Sequence, residues 1–126
     1  MHNYKRILVD GVSYYGKHLI LTAISCNENI IDKDAILKFL TTLVPKIDMV
    51  AYGKPIIERF GQGIEAGISA VQLIETSAII VHTNDLAKDA YLDVFSCKGF
   101  NEEIVISEFG VFFEPTTMNH QILLRK

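Results

Sequence analysis

Three short apolar runs follow one another between residues 68 and 98, and they constrain the fold more than any other feature of the chain. The runs are ISAVQLIETS (68–77), AIIVHT (78–83) and AYLDVFSCK (90–98), and the turn-like segment NDLAKD precedes the third. Each run has the length and the β-branched content of a strand. Strands that follow one another through short connections usually pair antiparallel. We therefore predict neighbouring antiparallel strands across this part of the chain.

Apolar residues at helical spacing predict two helices. The first covers residues 32–47, where Asp32 is a candidate cap and Pro45 ends or kinks the last turn. The second covers residues 101–114, with Asn101 as its N-cap. Further strands are predicted at 17–26, at 49–60 with an interruption near Gly53 and Pro55, and at 117–125, and a glycine-rich loop at 61–67.

The resulting order is β-α-β-β-β-β-α-β, which predicts an α+β fold with a mainly antiparallel sheet and helices on one face. The strands are apolar on both alternating faces, so the second face of the sheet also needs cover. A homodimer that packs sheet against sheet would provide that cover. The 126 residues suit a single domain, 1–126, in which residues 1–15 form a loosely attached leader.

Composition excludes several classes of protein. Hydrophobic residues make up 49 % of the chain, and the net charge of −3 with scattered Lys and Arg argues against a nucleic-acid partner. No apolar run of about 18 residues predicts a membrane span, and the N-terminus lacks a secretory signal. We therefore expect a cytoplasmic protein in which Cys26 and Cys97 are free thiols. The Cys and His residues are too widely spaced to predict a metal site.

Four polar side chains lie within or beside the apolar runs: Ser69, Ser77, His82 and Cys97. Taken singly, each is more often an ordinary guest in a sheet than a catalyst. Ser69 and Ser77 are eight residues apart, so in one regular strand they would share a face. No G-x-S-x-G motif surrounds Ser77, and no phosphate-binding loop is present.

The spacing of these residues is more specific than their types. Gly16-Lys17-His18-Leu19 opens the first long strand, His82 follows Ser77 by five residues, and Cys97 follows it by twenty. This set resembles the short prokaryotic-type S-adenosylmethionine decarboxylase proenzymes, which are pyruvoyl-dependent, over residues 16–126. The resemblance implies a two-layer α/β sandwich whose dimer is a four-layer αββα sandwich.

The resemblance also implies that Ser77 becomes the pyruvoyl group, a covalent cofactor made from the chain itself. Loss of carbon dioxide from an amino acid leaves a carbanion, which needs an electron sink that no natural side chain supplies. Ser77 Oγ would attack the carbonyl of Thr76, and the chain would break between Thr76 and Ser77. The products would be a β-chain, 1–76, and an α-chain, 77–126.

Three further side chains acquire roles through the same resemblance. Ser69 is expected to polarise the attacked carbonyl, and His82 to remove the α-proton of Ser77 during self-processing. Cys97 is expected to return a proton to the substrate carbanion after the substrate amine has formed a Schiff base with the pyruvoyl carbonyl.

The implied substrate is S-adenosylmethionine, and the implied product supplies the aminopropyl group of spermidine. The family often has Trp-Pro-Glu after the His-Thr pair, where this chain has Asn84, Asp85 and Leu86. Phe60 is then the candidate ring for adenine, and Glu65 or Asp85 the candidates for the ribose hydroxyls.

Two other interpretations remain open at this point. Relatives with the same cofactor decarboxylate arginine or ornithine, for which Glu75, Asp85 or Asp93 would serve as counter-ions. A non-processing regulatory homologue that pairs with an active copy is the second, because Thr76 stands where the family usually has Glu.

Overall fold

A computed structural model describes residues 3–126 of the chain. It contains one six-stranded antiparallel sheet, a separate two-stranded hairpin and two α-helices. The hairpin strands are β1 (Ile7–Val9) and β2 (Val12–Tyr14), the helices are α1 (Lys33–Lys46) and α2 (Glu102–Phe113), and the sheet strands are β3 (Gly16–Ile24), β4 (Ile56–Phe60), β5 (Gly67–Ile74), β6 (Ser77–Thr83), β7 (Ala90–Ser96) and β8 (Thr117–Arg125).

The sheet order is β4-β5-β6-β7-β3-β8, and every neighbouring pair is antiparallel. From β3 onward the chain follows the predicted order β-α-β-β-β-β-α-β, so the predicted α+β sandwich is confirmed. The two connections that are not hairpins are those that carry α1 and α2, which lets the final strand pass to the outer side of β3.

Both helices begin where the sequence predicts a cap. The Asp32 carboxylate accepts hydrogen bonds from the backbone N–H groups of Asp34 and Ala35, and the Asn101 side chain accepts one from Glu103 N–H. These bonds satisfy donors that the first helical turn leaves free. Pro45 lies in the last turn of α1, which ends one residue later.

The core lies between the helices and one face of the sheet. An aromatic cluster at its centre joins the two helices, because the Phe39 ring of α1 meets Phe109 and Phe113 of α2 at centroid distances of 5.6 and 5.1 Å. All three side chains are fully buried. Alternate residues of the strands, such as Leu19 of β3 and Leu92 of β7, pack against this cluster from below.

The other face of the sheet, here called the open face, has no helix over it. It carries apolar side chains that remain well exposed in the single chain, among them Phe60, Leu73, Tyr91 and Leu123. In the single chain the second face of the sheet is therefore without cover.

The structure changes two of the predicted elements. The strand predicted at 49–60 is ordered as a strand only at 56–60, with a single bridge from Ala51 to Ile74 before it. Gly53, with a positive φ, and Pro55 separate the two parts. Residues 7–14 of the leader form the β1–β2 hairpin, which the sequence analysis did not predict.

Among the helices of the described residues, none is long and apolar enough to cross a membrane.

Phe39→Ala should lower the free energy of unfolding by about 3–5 kcal/mol, because it removes the ring that joins both helices and leaves a cavity. Leu37→Ala, on the same helix at a position that is 40 % exposed, should cost about 1 kcal/mol or less. Denaturant unfolding of both variants at one protein concentration would measure the difference. Equal losses would mean that the aromatic cluster is not the centre of the core.

Candidate active site

The segment that contains Thr76 and Ser77 is a tight turn between two strands. β5 ends at Ile74, β6 begins at Ser77, and these two residues face each other across the ladder. Glu75 and Thr76 alone form the connection. Sequence analysis placed Ser77 at the end of the first strand, whereas it is the first residue of the second.

This turn overturns the expectation that Ser69 and Ser77 share a face. Residues opposite each other in an antiparallel pair project to the same side, so Ser77 shares a side with Ile74, which is buried toward the helices. Ser69 lies opposite His82 on the open face. The even spacing in sequence fails as a guide because two turn residues interrupt the strand alternation.

Five residues form the cleavage-site cluster: Met49, Thr76, Ser77, Ser96 and Cys97. The backbone N–H of Cys97 donates a hydrogen bond of 3.0 Å to the carbonyl oxygen of Thr76. The Ser96 hydroxyl, which is fully buried, donates to Thr76 Oγ1 at 2.7 Å, and Thr76 Oγ1 donates to Met49 Sδ at 3.3 Å. The carbonyl and the side chain of Thr76 are therefore both held in place directly before Ser77.

A second group, the histidine cluster, consists of Phe60, Glu65, Ser69, His82 and Asp85. Its centre is a hydrogen bond of 3.0 Å between Ser69 Oγ and His82 Nδ1. Phe60 faces Gly67, two residues before Ser69, and its ring is 61 % exposed. Glu65 is exposed in the loop between β4 and β5.

Asp85 joins the histidine cluster through its backbone and an ion pair. Its N–H donates to the Ala66 carbonyl at 2.8 Å, which fastens the turn after β6 to the loop that holds Glu65. Its Oδ2 pairs with Arg59 Nη1, and Arg59 Nη2 donates to the Ile31 carbonyl at 2.8 Å. Neither oxygen of this predicted ribose ligand is therefore presented on the open face beside His82: Oδ1 is buried without a hydrogen-bond partner in the described part of the chain, and Oδ2 pairs with Arg59, which lies opposite the buried Ile68 and faces the helices.

The two clusters lie at opposite ends of the β5–β6 hairpin. Five residues along β6 separate Ser77 from His82, which corresponds to about 16 Å in an extended strand. An odd separation also places the two side chains on opposite faces. Within one chain, His82 therefore does not reach the α-proton of Ser77. Their spacing in sequence predicted that these residues act together, whereas the fold places them at opposite ends of the hairpin.

Cys97 follows β7 on the parity of Tyr91, Asp93 and Phe95. The Phe95 ring packs against Gly16 of β3, where an added Cβ would lie 2.4 Å from the ring. Glycine is therefore required at the first residue of the Gly16-Lys17-His18-Leu19 motif. On the same face, His18 Nε2 is 2.9 Å from Asp93 Oδ1.

Lys17 of this motif faces the helices and ties β3 to the start of α2. Its Nζ donates to Glu102 Oε1 at 2.9 Å and to the Phe100 carbonyl at 2.8 Å. The hydrogen bond from Lys17 holds the pKa of Glu102 below its usual range. Lys17 is thus a structural member of the motif.

Several contributors to the site are not visible in a sequence. The donor to the Thr76 carbonyl is a backbone N–H, which every residue but proline carries, so no residue type marks it. Ser96 and Met49 reach Thr76 only because β7 and the segment after α1 end beside the turn. No group of three or more metal-ligating side chains occurs within residues 3–126.

Known proteins share the sequence pattern and the fold of this chain. The model of the S-adenosylmethionine decarboxylase family matches residues 17–126. The crystal structure of the adenosylmethionine decarboxylase from Aquifex aeolicus VF5 has the same fold, with a TM-score of 0.75 over 90 % of this chain and 92 % of that chain, at 19 % sequence identity. A search of curated proteins found no match.

The fold and the family match define the class as the pyruvoyl-dependent decarboxylases. Within that class, this chain belongs to the S-adenosylmethionine decarboxylase family.

The two thiols should differ in reactivity toward iodoacetamide at pH 8. Burial, reinforced by the nearby Asp89 carboxylate, raises the pKa of Cys26 to about 11, so only about one thiol in a thousand is ionised at that pH. Cys97 is partly exposed. Peptide mapping by mass spectrometry should find Cys97 labelled in the native protein and Cys26 labelled only after unfolding. Rapid labelling of native Cys97→Ser protein would contradict this.

Proposed function

We propose that this chain is a pyruvoyl-dependent S-adenosylmethionine decarboxylase that makes its cofactor from Ser77 and supplies the aminopropyl donor for spermidine synthesis. The observation that carries the proposal is the hydrogen bond from Cys97 N–H to the carbonyl oxygen of Thr76. A donor aimed at this oxygen stabilises the negative charge that develops there when a nucleophile attacks the carbonyl carbon. The nucleophile in the adjacent residue is the Ser77 hydroxyl.

Self-processing then requires only groups of the chain and one water. Ser77 Oγ attacks the Thr76 carbonyl carbon, the C–N bond breaks, and an ester replaces the amide. His82 removes the α-proton of Ser77, and the Thr76 carboxylate leaves with the Cβ–Oγ bonding pair. Addition of water to the resulting dehydroalanine and loss of ammonia give the pyruvoyl end of fragment 77–126. Thr76 ends fragment 1–76.

The strand order supports a stable processed product. Fragment 1–76 contributes β3, β4 and β5 to the sheet, and fragment 77–126 contributes β6, β7 and β8. Because β3 lies between β7 and β8, the two fragments interleave. Besides the ladder of the cut hairpin, they share the β3–β7 and β3–β8 ladders. Cleavage of the two-residue turn leaves those ladders unbroken.

A homodimer resolves the separation between Ser77 and His82. Two copies that pack open face to open face in antiparallel orientation bring the histidine cluster of one copy to the cleavage-site cluster of the other. The exposed apolar side chains of the open face would become the centre of a four-layer αββα sandwich. The Ser69–His82 pair would then act on Ser77 of the second copy.

The same arrangement assigns the substrate roles. Phe60 would stack on adenine and Glu65 would bind the ribose hydroxyls, both from the copy that supplies His82. The Asp85 carboxylate is committed to Arg59 and would instead hold the turn after β6 in place. The pyruvoyl group supplies the electron sink for the carbon that loses carbon dioxide. Cys97, beside residue 77, would return a proton to that carbon. A cytoplasmic location is part of the same proposal.

Purified protein should consist of two fragments, 1–76 and 77–126, by intact mass, with the smaller fragment carrying a pyruvoyl end. Ser77→Ala should remain a full-length chain, whereas the control Ser107→Ala, at an exposed position on α2, should be cut normally. The cut protein should release carbon dioxide from S-adenosylmethionine. Release of carbon dioxide from arginine or ornithine, and not from S-adenosylmethionine, would mean that the proposed substrate is wrong. A chain that stays uncut would favour the regulatory interpretation.

Mixed dimers test whether the site is shared between two copies. The His82→Ala homodimer should be cut at least about 100-fold more slowly than the wild type, because the base is missing. The Ser77→Ala homodimer should not be cut. When the two variants are co-expressed with different tags and purified as mixed dimers, Ser77 of the His82→Ala chain meets an intact His82. That chain should then be cut at a normal rate.

The result depends on geometry alone, because neither chain of the mixed dimer holds both residues. Mixed dimers that stay uncut would show that the two residues must belong to one chain. Normal cutting of the His82→Ala homodimer would show that His82 is not the base.

A further inference from the structure

The β1–β2 hairpin lies before the region that matches the family, which begins at residue 17. It packs at the Cys97 end of the sheet. The Tyr15 ring meets the Tyr4 ring at 5.7 Å and the Phe95 ring at 6.1 Å, and Tyr15 N–H donates to the Arg125 carbonyl at 2.6 Å. Tilted aromatic contacts and a backbone hydrogen bond thus hold the hairpin beside the cleavage-site cluster.

The hairpin places one cation at the thiol of Cys97. Arg6 Nη2 lies 3.8 Å from Cys97 Sγ. Within residues 3–126, no carboxylate is within ion-pair distance of Arg6, although Lys17, Lys46, Arg59 and Lys98 all have carboxylate partners. Arg6 is exposed, so its guanidinium is available to a charged group that enters from solvent.

We propose that Arg6 binds the α-carboxylate of the substrate, an inference that rests on the decarboxylase function proposed above. In that reaction Cys97 must approach the substrate α-carbon to within about 3.5 Å in order to return a proton. The carboxylate is attached to the same carbon before it leaves. A guanidinium in contact with the thiol is therefore within reach of that carboxylate, and its planar fork matches two carboxylate oxygens.

The chemistry predicts which kinetic constant Arg6 controls. The carboxylate loses its negative charge as carbon dioxide departs, so an ion pair with Arg6 is stronger in the bound substrate than in the transition state. Such an interaction favours binding and does not accelerate the chemical step. Loss of Arg6 should raise KM while kcat is unchanged or slightly higher.

Calorimetry on the processed protein tests the charge contact without turnover. The probe is the desamino analogue of S-adenosylmethionine, which keeps the carboxylate but lacks the amine needed for reaction, and its carboxamide is the neutral match. Arg6→Met should weaken binding of the acid about tenfold and leave binding of the amide within about twofold. Arg6→Lys should recover part of the affinity for the acid.

Lys5→Met is the matched control, because Lys5 is the neighbouring cation in the segment that leads into the hairpin, and its Nζ lies 5.8 Å from the centroid of the Tyr4 ring. It should bind both probes as the wild type does. A parallel measurement of KM and kcat with S-adenosylmethionine should show the KM increase in Arg6→Met only. An equal loss of acid and amide binding, or no loss of either, would overturn the role of Arg6.

A different set of results would show that the proposed decarboxylase function itself is wrong. Wild-type protein that is uncut, or that binds neither the acid nor the amide, would overturn the proposed decarboxylase and the role of Arg6 together. Wild-type protein that is cut and binds both probes, with an Arg6→Met variant that binds the acid equally well, would overturn the role of Arg6 alone.

Discussion

The two-residue turn at Glu75 and Thr76 is the constraint on which the rest of the site depends. It pairs Ile74 with Ser77 and thereby sets the register of the whole β5–β6 ladder. A shift of one residue would move every side chain of β6 to the other face of the sheet. It would also separate the Thr76 carbonyl from the N–H of Cys97, which now donates to it at 3.0 Å. The same register therefore fixes the faces of β6 and keeps the Cys97 N–H on the Thr76 carbonyl.

The strand order explains how a fold can tolerate a break at this point. The turn carries few of the contacts that hold the sheet together, whereas β3, from the other side of the break, lies between β7 and β8. The proposed cut would remove one short connection and no ladder. A peptide bond that is to be broken is best placed where its loss costs the fold least, and a hairpin turn beside an interleaved sheet satisfies that condition.

The open face has a polar pattern that fits a shared site. Its exposed apolar side chains extend along the strands, from Phe60 and Tyr91 near one end to Leu73 near the other. Ser69 and His82 lie at the first end, and Cys97 lies at the second. Two copies related by a twofold axis would bury these apolar side chains and join opposite ends, so each of the two sites would draw on both chains. Arg6, directly before the β1–β2 hairpin, lies at the Cys97 end of the sheet, where Ser77 also lies.

The sequence by itself determined the order of elements and the helix caps at Asp32 and Asn101, because periodicity and capping are local properties. Its spacing also predicted the catalytic residues proposed above. It did not determine where β5 ends, since Glu75 and Thr76 include no Gly, Pro, Asn or Asp that would favour a turn. Bonds from distant residues hold that turn: Glu75 N–H to the Val50 carbonyl and Cys97 N–H to Thr76. Only the tertiary structure therefore decided that Ser77 and His82 lie on opposite faces, and that Arg6, 91 residues away in sequence, reaches the thiol of Cys97.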